Sequence, residues 1–393
     1  MTNSSHVSEL TWSIGQPTDH SATNSARLAT RLAFFTAGFS LACCAPLFPF
    51  FKESVDVDKT QFGLLLLCLG FGSIVAMPAT GVLAARSGAR PLILLGGYGL
   101  IAMLPLLALS QTPIALGAAL FVFGASLGTI DVAMNVHGAE IEAIENRPLM
   151  SNFHAQFSIG GFFGAGLVTL LLSLSIPVLA CAMVGAIVAL ASMLLARSRF
   201  LEVSGKDPEP IVVPRGIVLL LAILAAITFL VEGALLDWGA LLIIDLELAE
   251  PESAGVGYIL FSIAMVLARL NGDRIVERCG EYLVLLVGGS IAILGIASFL
   301  LSTNSVVAML GFVLIGLGAA NVVPILFSAA GRQNLMPPGI AIASVTTTGY
   351  AGILMGPALI GFIAGTSTLA AAFWILALLL VSVPISASLV AKV

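Results

Sequence analysis

The chain has 393 residues, 59% of them hydrophobic and only 9% charged, with a formal net charge of −5. A soluble domain is nearer a quarter charged, so a chain of mean hydropathy +1.09 has too little polar surface to coat a water-soluble globule. Intrinsic disorder is excluded for the same reason, and nucleic-acid binding by the absence of a basic excess.

Residues 1–26, rich in Ser, Thr, Asn and His, lack the basic-then-apolar order of a signal peptide and are expected to form a disordered cytoplasmic tail. Twelve apolar runs follow, at 27–51, 60–84, 91–110, 113–138, 149–174, 176–197, 216–244, 253–275, 282–302, 304–331, 339–364 and 367–391. They are numbered here as spans 1 to 12. A helix of about 20 residues crosses the ~30 Å hydrocarbon core. These runs are apolar on all faces, which reads as helices and not as the alternating strands of a barrel. The division between spans 11 and 12 rests on Gly365-Thr366-Ser367-Thr368 alone. Residues 198–215, with Gly205, Pro208, Pro210 and Pro214, form a linker between halves 27–197 and 216–393. The expected fold is an all-α membrane protein of twelve transmembrane helices in two pseudo-symmetric six-helix domains.

The charge rule orients the spans. With the N-terminus in the cytoplasm, only Lys52 and Lys59 of the sixteen Lys and Arg residues fall outside, and Arg269 falls within a span. The sequence therefore predicts a plasma (bacterial inner) membrane protein with both termini cytoplasmic. Four of the five cysteines lie in apolar runs and none has disulfide or metal-ligand spacing.

The halves repeat. Gly81-x-x-x-Ala85-Arg86-x-Gly88 after span 2 matches Asp273-x-x-x-Glu277-Arg278-x-Gly280 after span 8 at an offset of 192, which also aligns Gly160 and Gly164 with Gly352 and Gly356. Gly128-x-x-Asp131-Val132 matches Gly318-x-x-Asn321-Val322 at 190, making Asn321 the counterpart of Asp131.

This arrangement resembles the major facilitator superfamily over residues 27–391. The loop Gly81 to Arg90 is similar to that superfamily's Gly-x-Leu-x-Asp-Arg-x-Gly-Arg signature, with Ala85 at the acidic position. The resemblance implies a cytoplasmic latch, for which Arg86, Arg90, Arg269, Asp273, Glu277 and Arg278 are the gating candidates. Within the superfamily, Asp131 to Asn135 resembles the acidic-x-x-x-Asn signature of fucose-permease-like symporters. Arg147 to His154, with the preceding Asp131 to Glu140, is similar to the YbjJ-like branch. Span 1 lacks the acid that fucose-type symporters use.

A charge at mid-bilayer costs at least ~2.5–3.5 kcal/mol, so intramembrane charges should face protein or a water cavity. Spans 3, 6, 9 and 12 have none and read as lipid-facing supports; spans 1, 4, 7 and 10, loosened by Pro46, Pro49 and Pro324, read as cavity lining. Asp131 and His154 are expected to form a proton-responsive pair, with Asn135 on the Asp131 face and Arg269 pairing with either across the halves. A structural hydrogen-bonded pair, with Arg269 satisfied by Asp273, is the other reading. Glu232, near the centre of span 7, is a candidate for proton or solute binding. Asn135, Asp237, Trp238, Asn321 and Tyr350 are candidates for solute contact, although Trp238 also suits a membrane interface and the hydroxyls of Thr346 to Thr348 can bond their own i−4 carbonyls.

There is no phosphate-binding loop or metal motif, so no cofactor is expected and the chain does not read as an enzyme. The expected partners are a small-molecule solute, protons and the lipid bilayer, with no nucleic acid, for a monomer. The function read from the sequence is proton-coupled symport of a sugar-like or other small polar solute by alternating access. Proton-driven efflux of amphipathic compounds and a non-transporting sensor are the alternatives.

Overall fold

The computed structural model describes residues 20–202, 213–248 and 255–393. Among them the apolar runs are all helical and there is no strand. Spans 2 to 7 are the helices Lys59–Ser87, Arg90–Leu109, Pro113–Glu145, Met150–Ser173, Val178–Ala196 and Ile217–Asp245. Spans 8 and 9 form the run Val256–Leu301, broken at Gly280 (φ 78°, ψ 153°). Gly88, between spans 2 and 3, has φ 76° and ψ 172°. Both glycines close the repeated loop motif, and both need a backbone conformation that strains any residue with a Cβ. The repeat in the letters is thus a repeat in geometry.

Prolines set the interruptions. Span 1 is His20–Cys44, a 3-10 turn Ala45–Leu47, then Phe48–Ser54, because Pro46 and Pro49 donate no N–H. The helix begins at His20, so the expected 1–26 tail is helical from there on; residues 1–19 lie outside the described residues, as do Gly205, Pro208 and Pro210 of the linker. Span 10 is split into Ser305–Ala319 and Val322–Arg332. In an unbroken helix the Ala320 carbonyl would accept from residue 324, which is proline and has no N–H. Span 4 runs past its apolar stretch to Glu145 and stops where Asn146 turns left-handed (φ 50°). Spans 11 and 12 are Pro338–Thr366 and Leu369–Leu380 with Ser382–Val390. The Thr368 side chain caps span 12, accepting from Ala371 N at 3.0 Å.

Span 1 packs on spans 5 and 6, span 2 on span 4, and span 3 on spans 4 and 6; span 7 packs correspondingly on spans 11 and 12. The halves meet chiefly through span 2 on span 11 and span 5 on span 8, with spans 4 and 10 between them. Small residues allow close approach. Gly124 abuts the Leu69 carbonyl as Gly316 abuts that of Phe261, and Gly96 abuts the Ser126 carbonyl as Gly288 abuts that of Gly318. Ala139 and Gly331, themselves 192 apart, touch across the pseudo-twofold. Span 10 therefore follows the offset of 192 on both sides of its break. That corrects the alignment at 190: Asp131 corresponds to Val323, and Asn321 to Thr129.

Candidate functional site

The bundle's polar groups gather into one chain of contacts that crosses between the halves. On span 4, Asp131 and Asn135 are four residues apart and share a face. Asn135 is fully buried. Its Nδ2 donates to the Asp131 carbonyl at 2.9 Å and to Asp131 Oδ1 at 3.2 Å. Its Oδ1 is thereby left to accept, and it meets His154 Nε2 of span 5 at 3.1 Å. That assignment makes Nε2 the protonated nitrogen of His154. The imidazole lies between Phe34 of span 1 and Phe327 of span 10, at centroid distances of 5.2 and 5.5 Å. Tyr350, on span 11 of the other half, lies beside Asp131. The expected Asp131–His154 pair is therefore a relay through Asn135, with no direct contact.

One helical turn beyond His154, Ser158 Oγ donates to the His154 carbonyl at 3.4 Å and accepts from Arg269 NH1 at 3.2 Å. Arg269 is buried on span 8. Its Nε donates to the Ala320 carbonyl at 3.1 Å, the group that Pro324 leaves free, and its NH2 meets Glu232 Oε1 at 3.4 Å. This corrects the expected partners: Arg269 pairs with Glu232, not with Asp131, His154 or Asp273. Glu232 reaches Arg269 from the neighbouring span 7, whereas Asp273, four residues on along span 8, is engaged by the first turn of span 5.

The remaining candidates are spread out. Asp237 is exposed on span 7. Trp238 lies on Gly361 of span 11, where a side chain would obstruct it, and its buried indole N–H has no partner among the described residues. Asn321 sits at the break in span 10 against Gly272 and Ser151, with its Oδ1 buried and unpartnered among the described residues. Thr346 and Thr347 bond the carbonyls of Ile342 and Ala343.

At the end of the bundle that carries most basic residues, the halves are in contact. Span 5 starts at Met150, and the N–H groups of its first turn have no partner inside the helix. Glu142 of the same half accepts from Leu149 N at 2.6 Å and Met150 N at 2.9 Å. Asp273, from the other half, accepts from Asn152 N at 3.3 Å. Both carboxylates also face the positive end of the helix dipole. Arg31 Nε holds the Asn152 side chain at 2.8 Å, and Arg332 pairs with Glu281 at 2.8 Å. A cavity of about 210 Å³ lies here, lined in part by Glu142, Arg147, Ser151, Asp273 and Arg332. Arg90 pairs with Glu202 at the start of the linker. Arg86, Glu277 and Arg278 are exposed and form no ion pair among the described residues.

Residues 31–336 match the sequence profile of the Major Facilitator Superfamily. The chain belongs to that superfamily. It is 48% identical over 370 residues to an uncharacterised MFS-type transporter of Yersinia pestis, covering 94% of this chain and 96% of that one. An uncharacterised transporter of Sinorhizobium fredii is 33% identical over 349 residues, covering 88% and 93%. Among solved structures, the E. coli fucose:proton symporter FucP superposes with a TM-score of 0.73 at 16% identity, covering 94% of this chain and 99% of FucP. At that identity FucP shares the superfamily's fold and nothing finer.

Two contributors were missed in the sequence. Glu142 is not among the sequence candidates; its signal is an acid preceding the helix start at Met150. Tyr258 stands near Glu232, Asp237, Ser262 and Arg269. Its signal was the stripe Tyr258, Ser262, Arg269 and Asp273, which recurs on one face of span 8 at helical spacing. His137 bridges Thr30 Oγ1 at 2.8 Å and Leu201 N at 2.9 Å, tying the start of the linker to spans 1 and 4.

Proposed function

We propose that this chain is a proton-coupled symporter of a small polar, sugar-like solute. It works as a monomer by alternating access of two halves, 27–197 and 216–393, in a plasma (bacterial inner) membrane with both termini cytoplasmic. The observation that carries this reading is the relay from Asp131 through Asn135 and His154 to Ser158, Arg269 and Glu232. Ionisable groups at bilayer depth are costly, and a set of them bridging the two moving halves is suited to trade a proton for a change of packing. Asp131, His154 and Glu232 carry the proton. Asn135, Tyr350 and Asn321 offer hydrogen bonds to the solute, with Asp237 and Trp238 on its path. The shared fold with FucP, a fucose:proton symporter, supports alternating access by two halves, and the solute class rests on the resemblance of Asp131 to Asn135 to the acidic-x-x-x-Asn signature.

The latch at the basic end supplies the gate. While Asp273 holds the start of span 5, that side is closed; inward opening must break this contact and separate Gly81 from Gly339 and Ala343, where spans 2 and 11 touch. The test is uptake by purified protein in proteoliposomes under an imposed pH gradient, using solutes that stabilise it in a thermal-shift screen. Solute movement in the same direction as protons supports the reading. Movement against the proton flow would replace it with efflux, and no flux of any stabilising solute would leave a sensor.

A further inference from the structure

The side of Arg269 that faces the other half points to the class of solute, given the transport reading above. A guanidinium has five N–H donors in a planar fork and stays charged at any accessible pH. Nε is fixed by the Ala320 carbonyl, which Pro324 frees from the helix. The orientation of the plane is therefore built into the backbone of span 10. The opposite edge, NH1 and NH2, is the one that grips a carboxylate with two parallel bonds. Here NH1 reaches Ser158 of the first half at 3.2 Å and NH2 reaches Glu232 of the second at 3.4 Å. Glu232 offers a single long contact where the fork could take two short ones, and its side chain remains 20% exposed. A buried guanidinium held in place, with its two-pronged edge given to a replaceable partner, is a seat for a carboxylate.

We propose that the solute carries a carboxylate, which takes the NH1–NH2 edge of Arg269 while Glu232 is protonated and released. The empty site holds Arg269 with ionised Glu232; the loaded site holds Arg269 with the solute anion and neutral Glu232. Both are neutral, so both halves of the cycle move through the low-dielectric bundle without a net buried charge. Proton and solute enter together because a carboxylate arriving beside ionised Glu232 would be repelled. The ionisable groups around Glu232 are Arg269 and Tyr258 of span 8 and Asp237 on its own span. Tyr350 of span 11 faces Asp131, and His154 of span 5 stands beside Arg269.

The experiment compares acetate with its uncharged analogue acetamide at matched ionic strength, on the purified full-length protein. In Glu232→Gln the fork has lost its carboxylate, and acetate should raise the melting temperature by at least about 2 °C while acetamide does not. In the wild type, acetate binding should take up a proton from a weakly buffered medium, an uptake absent from Glu232→Gln. Arg269→Gln should respond to neither compound. The wild-type measurement stands even if a variant fails to fold. Equal responses to acetate and acetamide in wild type and Glu232→Gln, or acetate binding retained in Arg269→Gln, would overturn the proposal. A protein that accumulates a neutral solute with protons and ignores acetate would keep the symport reading and refute this one. One that seats acetate on Arg269 but moves no solute would do the reverse.

Discussion

Replacing Gly272 with alanine should force the basic end open. Gly272 lies on span 8 where it crosses span 5, and an added Cβ would stand 2.5 Å from Ser151 Cβ and 2.7 Å from Ser151 Oγ, pressed also against Asn321 Oδ1. Comfortable carbon contacts are about 3.5–4.0 Å, so the two spans must part by roughly an ångström. Ser151 belongs to the first half and Gly272 to the second, so separating the halves relieves the overlap with Ser151, whereas Asn321, in the same half as Gly272, must turn its side chain aside in either arrangement. Overpacking of this kind costs about 1–3 kcal/mol. The Ser151 share of that cost falls on the closed arrangement and not on the open one, so the equilibrium should move toward opening, by about 5–150-fold if that share is the whole of about 1–3 kcal/mol. The readout is the rate at which a cysteine in place of Ser328, which lines the cavity at that end, reacts with a membrane-impermeant thiol reagent. Cys68 and Cys279, the two cysteines not buried, are first changed to serine. Gly166→Ala is the control, because nothing lies within 4 Å of its added Cβ. An unchanged labelling rate in a folded Gly272→Ala protein would show that this crossing does not hold the gate.

Three further outcomes are expected. Asp273→Asn keeps the shape but removes the charge at the start of span 5; at about 0.3–1 kcal/mol for a charge on a helix terminus, Ser328→Cys labelling should rise by roughly two- to fivefold. Pro324→Ala supplies the missing N–H to the Ala320 carbonyl, so span 10 should become more regular and the protein no less stable, while transport falls because Arg269 loses its anchor; thermal unfolding and uptake on the same preparation check both. His137→Ala removes the acceptor for Leu201 N and should cost about 1 kcal/mol, read as faster proteolysis at the start of the linker with transport retained.

The twelve spans and their pairing were legible because lipid imposes one rule, about twenty apolar residues per crossing, and because Gly88 and Gly280 mark the same strained turn in each half. Pro324 announced a loosened span 10. Which group would take the freed carbonyl was not legible, since Arg269 is 51 residues away in sequence and its direction depends on how span 8 packs on span 10. As ionisable groups within the membrane spans, Asp131, His154 and Arg269 are expected from the sequence to pair directly. Packing decided otherwise: Asn135 fills the space between Asp131 and His154, and Ser158 that between His154 and Arg269. The alignment of Asp131 with Asn321 rested on small residues that recur throughout apolar sequence, and only contacts such as Gly124 on Leu69 and Gly316 on Phe261 fixed the register.

The central claim is that this buried relay couples protons to solute movement. It is tested most directly by comparing two fluxes in Asp131→Asn proteoliposomes: exchange of labelled solute with no gradient, and accumulation driven by an imposed pH gradient. The account predicts that exchange survives, because the site and the moving halves remain, while driven accumulation collapses. Full pH-driven accumulation in Asp131→Asn would contradict it.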